Sequence, residues 1–158
     1  AMKGGIFHER MAFNAQAEEM TFQAAETAIG GVLREARSSG DLLGLLTMTN
    51  EIQTHCVTLA GGIAEGACGS TNTLDTRAAL TAEAQSQFDR VRPAMNSDAS
   101  VLADYQFHSI GHGAFVSEDM PFENRNRQEW RKLGPGSSFE VNPEVIGLSP
   151  DPESPSEE

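Results

Sequence analysis

His108 and His112 are the residues whose type and spacing best suit metal binding. On a continuous helix, side chains four positions apart lie on one face, where two imidazoles can share Zn²⁺, Cu²⁺ or a haem iron. Further ligands would have to come from Asp104, Glu118, Asp119, His8 or His55. The favoured interpretation is simpler: both histidines are polar residues near a helix end, bonded to carbonyl groups or solvent. A transition metal at His108 and His112 is the alternative.

Cys56 and Cys68 are the only cysteines, and twelve positions separate them. This is not the CxxC spacing of a redox or zinc site, and two cysteines do not make a dense disulfide framework. Cys56 falls on the apolar side of a predicted helix, where a free cysteine acts as a small hydrophobic residue. The pattern favours buried, unpaired cysteines, with a Cys56–Cys68 disulfide as the alternative.

Residues 125–132 form the only basic cluster and contain the only tryptophan. Arginine and tryptophan are common at binding hot spots, so this cluster is a candidate partner-binding surface. Its candidate residues are Arg125, Arg127, Trp130, Arg131 and Lys132. The favoured alternative is that Trp130 anchors the C-terminal tail to its own domain while the arginines stay solvated. No GxSxG sequence, nucleotide-binding glycine loop or HExxH sequence occurs, so no catalytic residue is assigned.

Four helices are predicted to position these residues. The first, over residues 11–37, has an apolar arc wider than the single stripe of a surface helix. It therefore needs cover from two sides, by two neighbouring helices or by one neighbour and a second subunit. The second covers residues 41–60, the third begins after residues 71–73 and ends at Pro93, and the fourth begins after residues 96–98 and ends near Gly111.

Six of the seven prolines follow residue 116, and proline disfavours regular structure. The sequence thus predicts an all-α fold, a mostly antiparallel four-helix bundle over residues 1–116. Residues 117–158 are predicted to be an extended tail with one short helix near residues 120–133 and a mobile acidic end.

The chain carries 11 basic and 23 acidic residues, a net charge of −12, which disfavours binding to nucleic acid or to anionic membranes. No apolar stretch is long enough to insert in a bilayer, and no signal peptide is visible. A cytoplasmic location is therefore expected. Export, with a leader already removed, is the alternative.

The wide apolar arc of the first helix and the lack of a catalytic set predict a non-enzymatic interaction or structural protein. It would act through self-association as a homo-oligomer, or as a subunit or adaptor of a larger assembly with other protein partners. No cofactor is expected. The alternative is a metal- or cofactor-binding bundle that uses His108 and His112.

Overall fold

The computed structural model describes residues 2–69, 71–77, 79–95, 102–117 and 121–136, which form two helices followed by five strands. The helices are α1 (Met2–Ser38) and α2 (Asp41–Thr49). The strands are β1 (Gln53–Val57), β2 (Ile63–Glu65), β3 (Leu80–Pro93), β4 (Ala103–Phe115) and β5 (Glu123–Gly134). They form one antiparallel sheet in the order β2-β1-β3-β4-β5, and α1 packs across one face of it.

The predicted all-α four-helix bundle is wrong. Helix α1 contains the predicted helix 11–37, but the predicted helix 41–60 ends at Asn50, whose backbone is left-handed with a φ of 51°. The third and fourth predicted helices are the long strands β3 and β4, and the predicted short helix near residues 120–133 is β5. The predicted mobile acidic end lies outside the described residues.

The third predicted helix is wrong because the segment has the period-2 burial of a strand. Leu80, Ala84 and Phe88 are four positions apart, a spacing that lies on one face of a helix and equally on one face of a strand. Buried residues in β3 in fact occur at every second position from Leu80 to Phe88, including Ala82 and Ser86. Alanine and serine at these positions made the strand resemble a helix in composition.

Helix α1 lies directly on β4 because the contact residues are small. A Cβ atom placed on Gly111 would overlap the carbonyl group of Ala25, and one placed on Gly113 would overlap the carbonyl group of Thr21. Ala24 and Ala25 on α1 are fully buried, as are the alanines of β3 on the same sheet face. The glycines therefore permit a backbone-to-backbone approach that no other residue allows.

The rest of the core is filled by larger side chains. Phe88, Tyr105 and Phe107 are almost completely buried and belong to the same core cluster as Val32 of α1 and Leu43 of α2. Phe88 and Phe107 meet edge to face, with ring centroids 5.4 Å apart. The leucines of α2 thus belong to the same core cluster as these aromatic residues.

His55 on β1 is a buried titratable residue in this fold, at 5% exposure. Burial lowers the pKa of its imidazole from the ordinary value, and the carboxylates of Glu65 and Glu35 only partly oppose this. Its Nδ1 atom has no hydrogen-bond partner among the described residues. The folded state therefore prefers neutral His55.

Substituting Gly113 with alanine tests the close helix contact. The added methyl group would lie 2.8 Å from the Ala24 Cβ, so α1 must move away from the sheet. We expect Gly113→Ala to lower the free energy of unfolding by about 2 kcal/mol or more. Gly30→Ala is the control, because its Cβ meets nothing within 4 Å and alanine raises helix propensity by about 1 kcal/mol. Urea denaturation checks both, and equal stability of Gly113→Ala and the wild type would refute the contact.

The buried imidazole predicts a pH dependence of stability. Because the pKa of His55 is lowered in the folded state, protonation favours the unfolded state. Stability is full above the unfolded pKa of about 6.5 and is lost as the pH falls below it. We expect the wild type to lose more stability than His55→Gln between about pH 8 and about pH 5. Urea denaturation across this range measures it, with the exposed His8→Gln as control; parallel curves for all three proteins would contradict it.

Candidate functional site

The N-terminal part of α1 exposes large apolar side chains. Ile6 and Phe7 are 57% and 64% exposed, and Met11 and Phe13 are 55% and 52% exposed. The same helix becomes buried only from Ala17 onward, where the sheet covers it. We define the N-terminal apolar surface as the exposed apolar residues of this part of α1: Ile6, Phe7, Met11, Phe13, Met20 and Phe22. Several large apolar side chains exposed along one helix are typical of an interaction site.

These residues form two rows along the helix. The first row, Ile6, Phe13 and Met20, has a spacing of seven residues, which keeps its members on one side. The second row consists of Phe7, Met11 and Phe22. At about 100° per residue the two rows lie roughly 150° apart, on either side of the line that faces the sheet. The surface therefore suits two neighbours better than one.

Little within the described chain covers these rows. Phe13 contacts Phe122 edge to face, with ring centroids 6.4 Å apart. The opposite side of α1 is polar and carries Gln16, Glu19 and Gln23, and the Gln23 amide donates a 2.7 Å hydrogen bond to Glu19. The helix is thus amphipathic in its projecting part as well as in its packed part.

The two histidines lie on a strand, so the helical spacing behind the metal-site prediction does not exist. His108 and His112 are four residues apart on β4 and share the sheet face opposite α1, which places them about 13 Å apart. A single ion does not bridge that distance. His112 instead lies 3.0 Å from a Glu123 carboxylate oxygen. Among the described residues, no group of three His, Cys, Asp or Glu side chains is arranged to hold a metal ion.

The cysteines are joined in a disulfide. Cys56 lies on β1 and not on a helix, and its sulfur atom is bonded to that of Cys68. The enclosed segment contains β2, the three-residue strand at one edge of the sheet. The bridge thus ties the loop that follows β2 back to β1. Both cysteines are consumed by it, which leaves no thiol for nucleophilic chemistry in this pair.

The residues of the basic cluster lie on β5, and they are divided between the two faces of the sheet. Successive side chains of a strand point to opposite faces. Arg125, Arg127 and Arg131 lie at positions paired with His112, Ile110 and Gln106, on the face away from α1. Lys132 belongs to the helix side, where its ammonium group donates a 3.1 Å hydrogen bond to the carbonyl of Ala36.

Trp130 is also on the helix side, and two contacts fix it. Its indole stacks on Phe107 with ring centroids 4.3 Å apart, and its Nε1 donates a 2.9 Å hydrogen bond to the Ser109 hydroxyl. That hydroxyl lies 2.7 Å from the Ser86 hydroxyl inside the core. Trp130 is nevertheless only half-buried. Trp130 therefore anchors β5 and also contributes to the domain surface.

Sequence reasoning missed the start of the exposed surface. It began the helix at residue 11 and omitted Ile6 and Phe7. The signal that finds Ile6 is the seven-residue spacing that continues backward from Met20 through Phe13.

No helix in the described part of the chain is long and apolar enough to span a membrane. The chain matches no family model, no curated protein and no solved structure.

Proposed function

We propose that this protein is a non-enzymatic structural subunit that self-associates through the N-terminal apolar surface of α1. The observation that carries the proposal is the exposure of Ile6, Phe7, Met11 and Phe13 on a helix whose later turns are buried by the sheet. A second copy offers the same two rows, so identical helices can pack side by side and exclude water from both.

The physics of an isolated helix supports this interpretation. The turns of α1 before Ala17 make little contact with the sheet, and short helices without tertiary packing are only marginally stable in water. Packing against a neighbouring helix would stabilise these turns and bury the phenylalanines together. Two rows about 150° apart would place one neighbour on each side. This arrangement favours an extended or ring-like assembly over a closed pair.

The disulfide bears on where the assembly works. Disulfides persist in oxidising surroundings and are rare in the reducing cytosol. The Cys56–Cys68 bridge therefore favours the exported alternative over the cytoplasmic location expected from the sequence. We therefore propose that the assembly works in an oxidising compartment.

Substituting one residue from each row tests self-association. Ile6→Gln with Met11→Gln removes two apolar side chains that lie away from the sheet, so the fold should be unaffected. Burying both on assembly is worth about 3 kcal/mol, which predicts a rise of roughly a hundredfold in the dissociation constant. Size-exclusion chromatography with light scattering across a concentration series measures this.

Ala12→Gln is the matched control, because Ala12 is exposed on the polar side of the same turns. It should assemble like the wild type. A wild-type protein that stays monomeric throughout the series would refute the proposal, and so would an oligomer that the double variant leaves unchanged.

A further inference from the structure

Strand β5 forms one edge of the sheet and leaves one side of its backbone unpaired. It is 12 residues long and pairs with β4, and no other strand in the described part of the chain lies along it. The N–H and C=O groups of an unpaired edge can bind another extended strand. The free edge of β5 is therefore an interaction surface, and it is separate from the N-terminal apolar surface of α1.

Charged side chains occupy the face of β5 that points away from α1. In chain order they are Glu123, Arg125, Arg127, Glu129 and Arg131, and all five are exposed. The ion pair between Arg127 and Glu129, at 3.6 Å, also lies at the surface, so it costs little to rearrange. Charges on a strand edge discourage pairing with unrelated strands. Only a strand with a complementary charge pattern fits this edge.

The charge pattern of β5 is complementary to itself when it is read in the opposite direction. In an antiparallel pair of two β5 strands centred on Arg127, Glu123 of each copy lies opposite Arg131 of the other. Arg125 of each copy likewise lies opposite Glu129 of the other. Such directly opposed opposite charges stabilise a strand pair. At the centre the two Arg127 side chains face each other, and the Glu129 carboxylate beside each of them offsets their repulsion.

A shift of the centre by one residue in either direction removes this match. With Gln128 at the centre, Arg125 of each copy would lie opposite Arg131 of the other. With Asn126 at the centre, Arg125 would lie opposite Arg127. Like charges directly opposite each other destabilise a strand pair. The charges thus favour the register centred on Arg127 over these neighbouring registers.

The position of α1 leaves room for a second copy beside β5. The close contacts at Gly111 and Gly113 hold α1 over β4, one strand in from the edge. In a continuous sheet of two copies the two β4 strands would be three strand spacings apart, about 14 Å. Packed helices need axes only about 8–10 Å apart. Both copies of α1 therefore fit on the same face of the joined sheet.

We propose that two copies of this protein pair antiparallel through the free edges of β5, centred on Arg127, and so form one continuous sheet. On the helix side, the half-buried Trp130 would lie opposite Asn124 of the other copy, which would cover it further. This contact has two-fold symmetry and closes on itself, whereas the α1 contact continues to further neighbours. It is a second self-association surface and does not depend on the first.

Single charge reversals test both the pairing and its register. Arg125→Glu places a carboxylate opposite Glu129 of the second copy, and Glu129→Arg places a guanidinium group opposite Arg125. We expect each variant alone to raise the dissociation constant roughly tenfold, because two attractive pairs per dimer become repulsive. An equimolar mixture of the two variants restores opposite charges at both positions. It should therefore associate about as tightly as the wild type.

Sedimentation velocity across a concentration series measures these constants. The measurements use the full chain and are repeated with Ile6→Gln and Met11→Gln, which weaken association through α1. Arg77→Glu and Glu51→Arg are the matched controls, because they make the same charge changes at exposed positions outside β5. Both controls should associate like the wild type, and thermal melts check that every variant is folded.

A mixture that associates as weakly as its two components would overturn the proposal. Charge reversals on β5 that act no more strongly than the controls would also overturn it. Association that Ile6→Gln and Met11→Gln leave intact, but that the β5 reversals weaken and the mixture restores, would refute the α1 contact and support the β5 contact.

Discussion

The backbone-to-backbone contact between α1 and β4 is the constraint on which the rest of the structure depends. Helix α1 can lie on the sheet only because Gly111 and Gly113 leave room for the carbonyl groups of Ala25 and Thr21. Once this distance is set, the sheet positions nearby must be alanine or serine, and the larger core residues must lie elsewhere. Phe88, Phe107 and Tyr105 accordingly pack with Val32 and α2 in the same core cluster.

The same constraint explains why the sequence was misleading about fold class. A strand packed this tightly uses alanine and glycine in place of the β-branched residues that normally identify strands. Ala82 and Ala84 therefore suggest a helix, and the spacing of Leu80, Ala84 and Phe88 fits both periods. Helix α1 was predictable because it extends over many turns with a clear apolar pattern. The sheet was not, since its signal depends on a neighbour distant in the chain.

The candidate site was predictable in part for a related reason. The wide apolar arc of α1 identified Phe13, Met20 and Phe22 as residues that need cover, and these are among the exposed ones. The metal-site hypothesis depended on a helix at residues 108–112, and on a strand the two imidazoles are too far apart to share an ion. The division of the basic cluster between two sheet faces followed from the same change of period. The spacing of two residues in the sequence therefore predicts their distance only if the secondary structure between them is assigned correctly.

The unbroken course of α1 has a consequence for any assembly built from it. Helix α1 can pack on the sheet in only one rotation about its axis. In that rotation the backbone of Thr21 lies against Gly113 and the backbone of Ala25 lies against Gly111. In a regular helix each residue is rotated about 100° from the one before it, so fixing the rotation of one turn also fixes that of turns far from the sheet. The directions in which Ile6 and Phe7 project from the helix axis are thus set by steric packing several turns away. A subunit whose helix packed on the sheet in a different rotation would place its neighbouring subunits at a different angle.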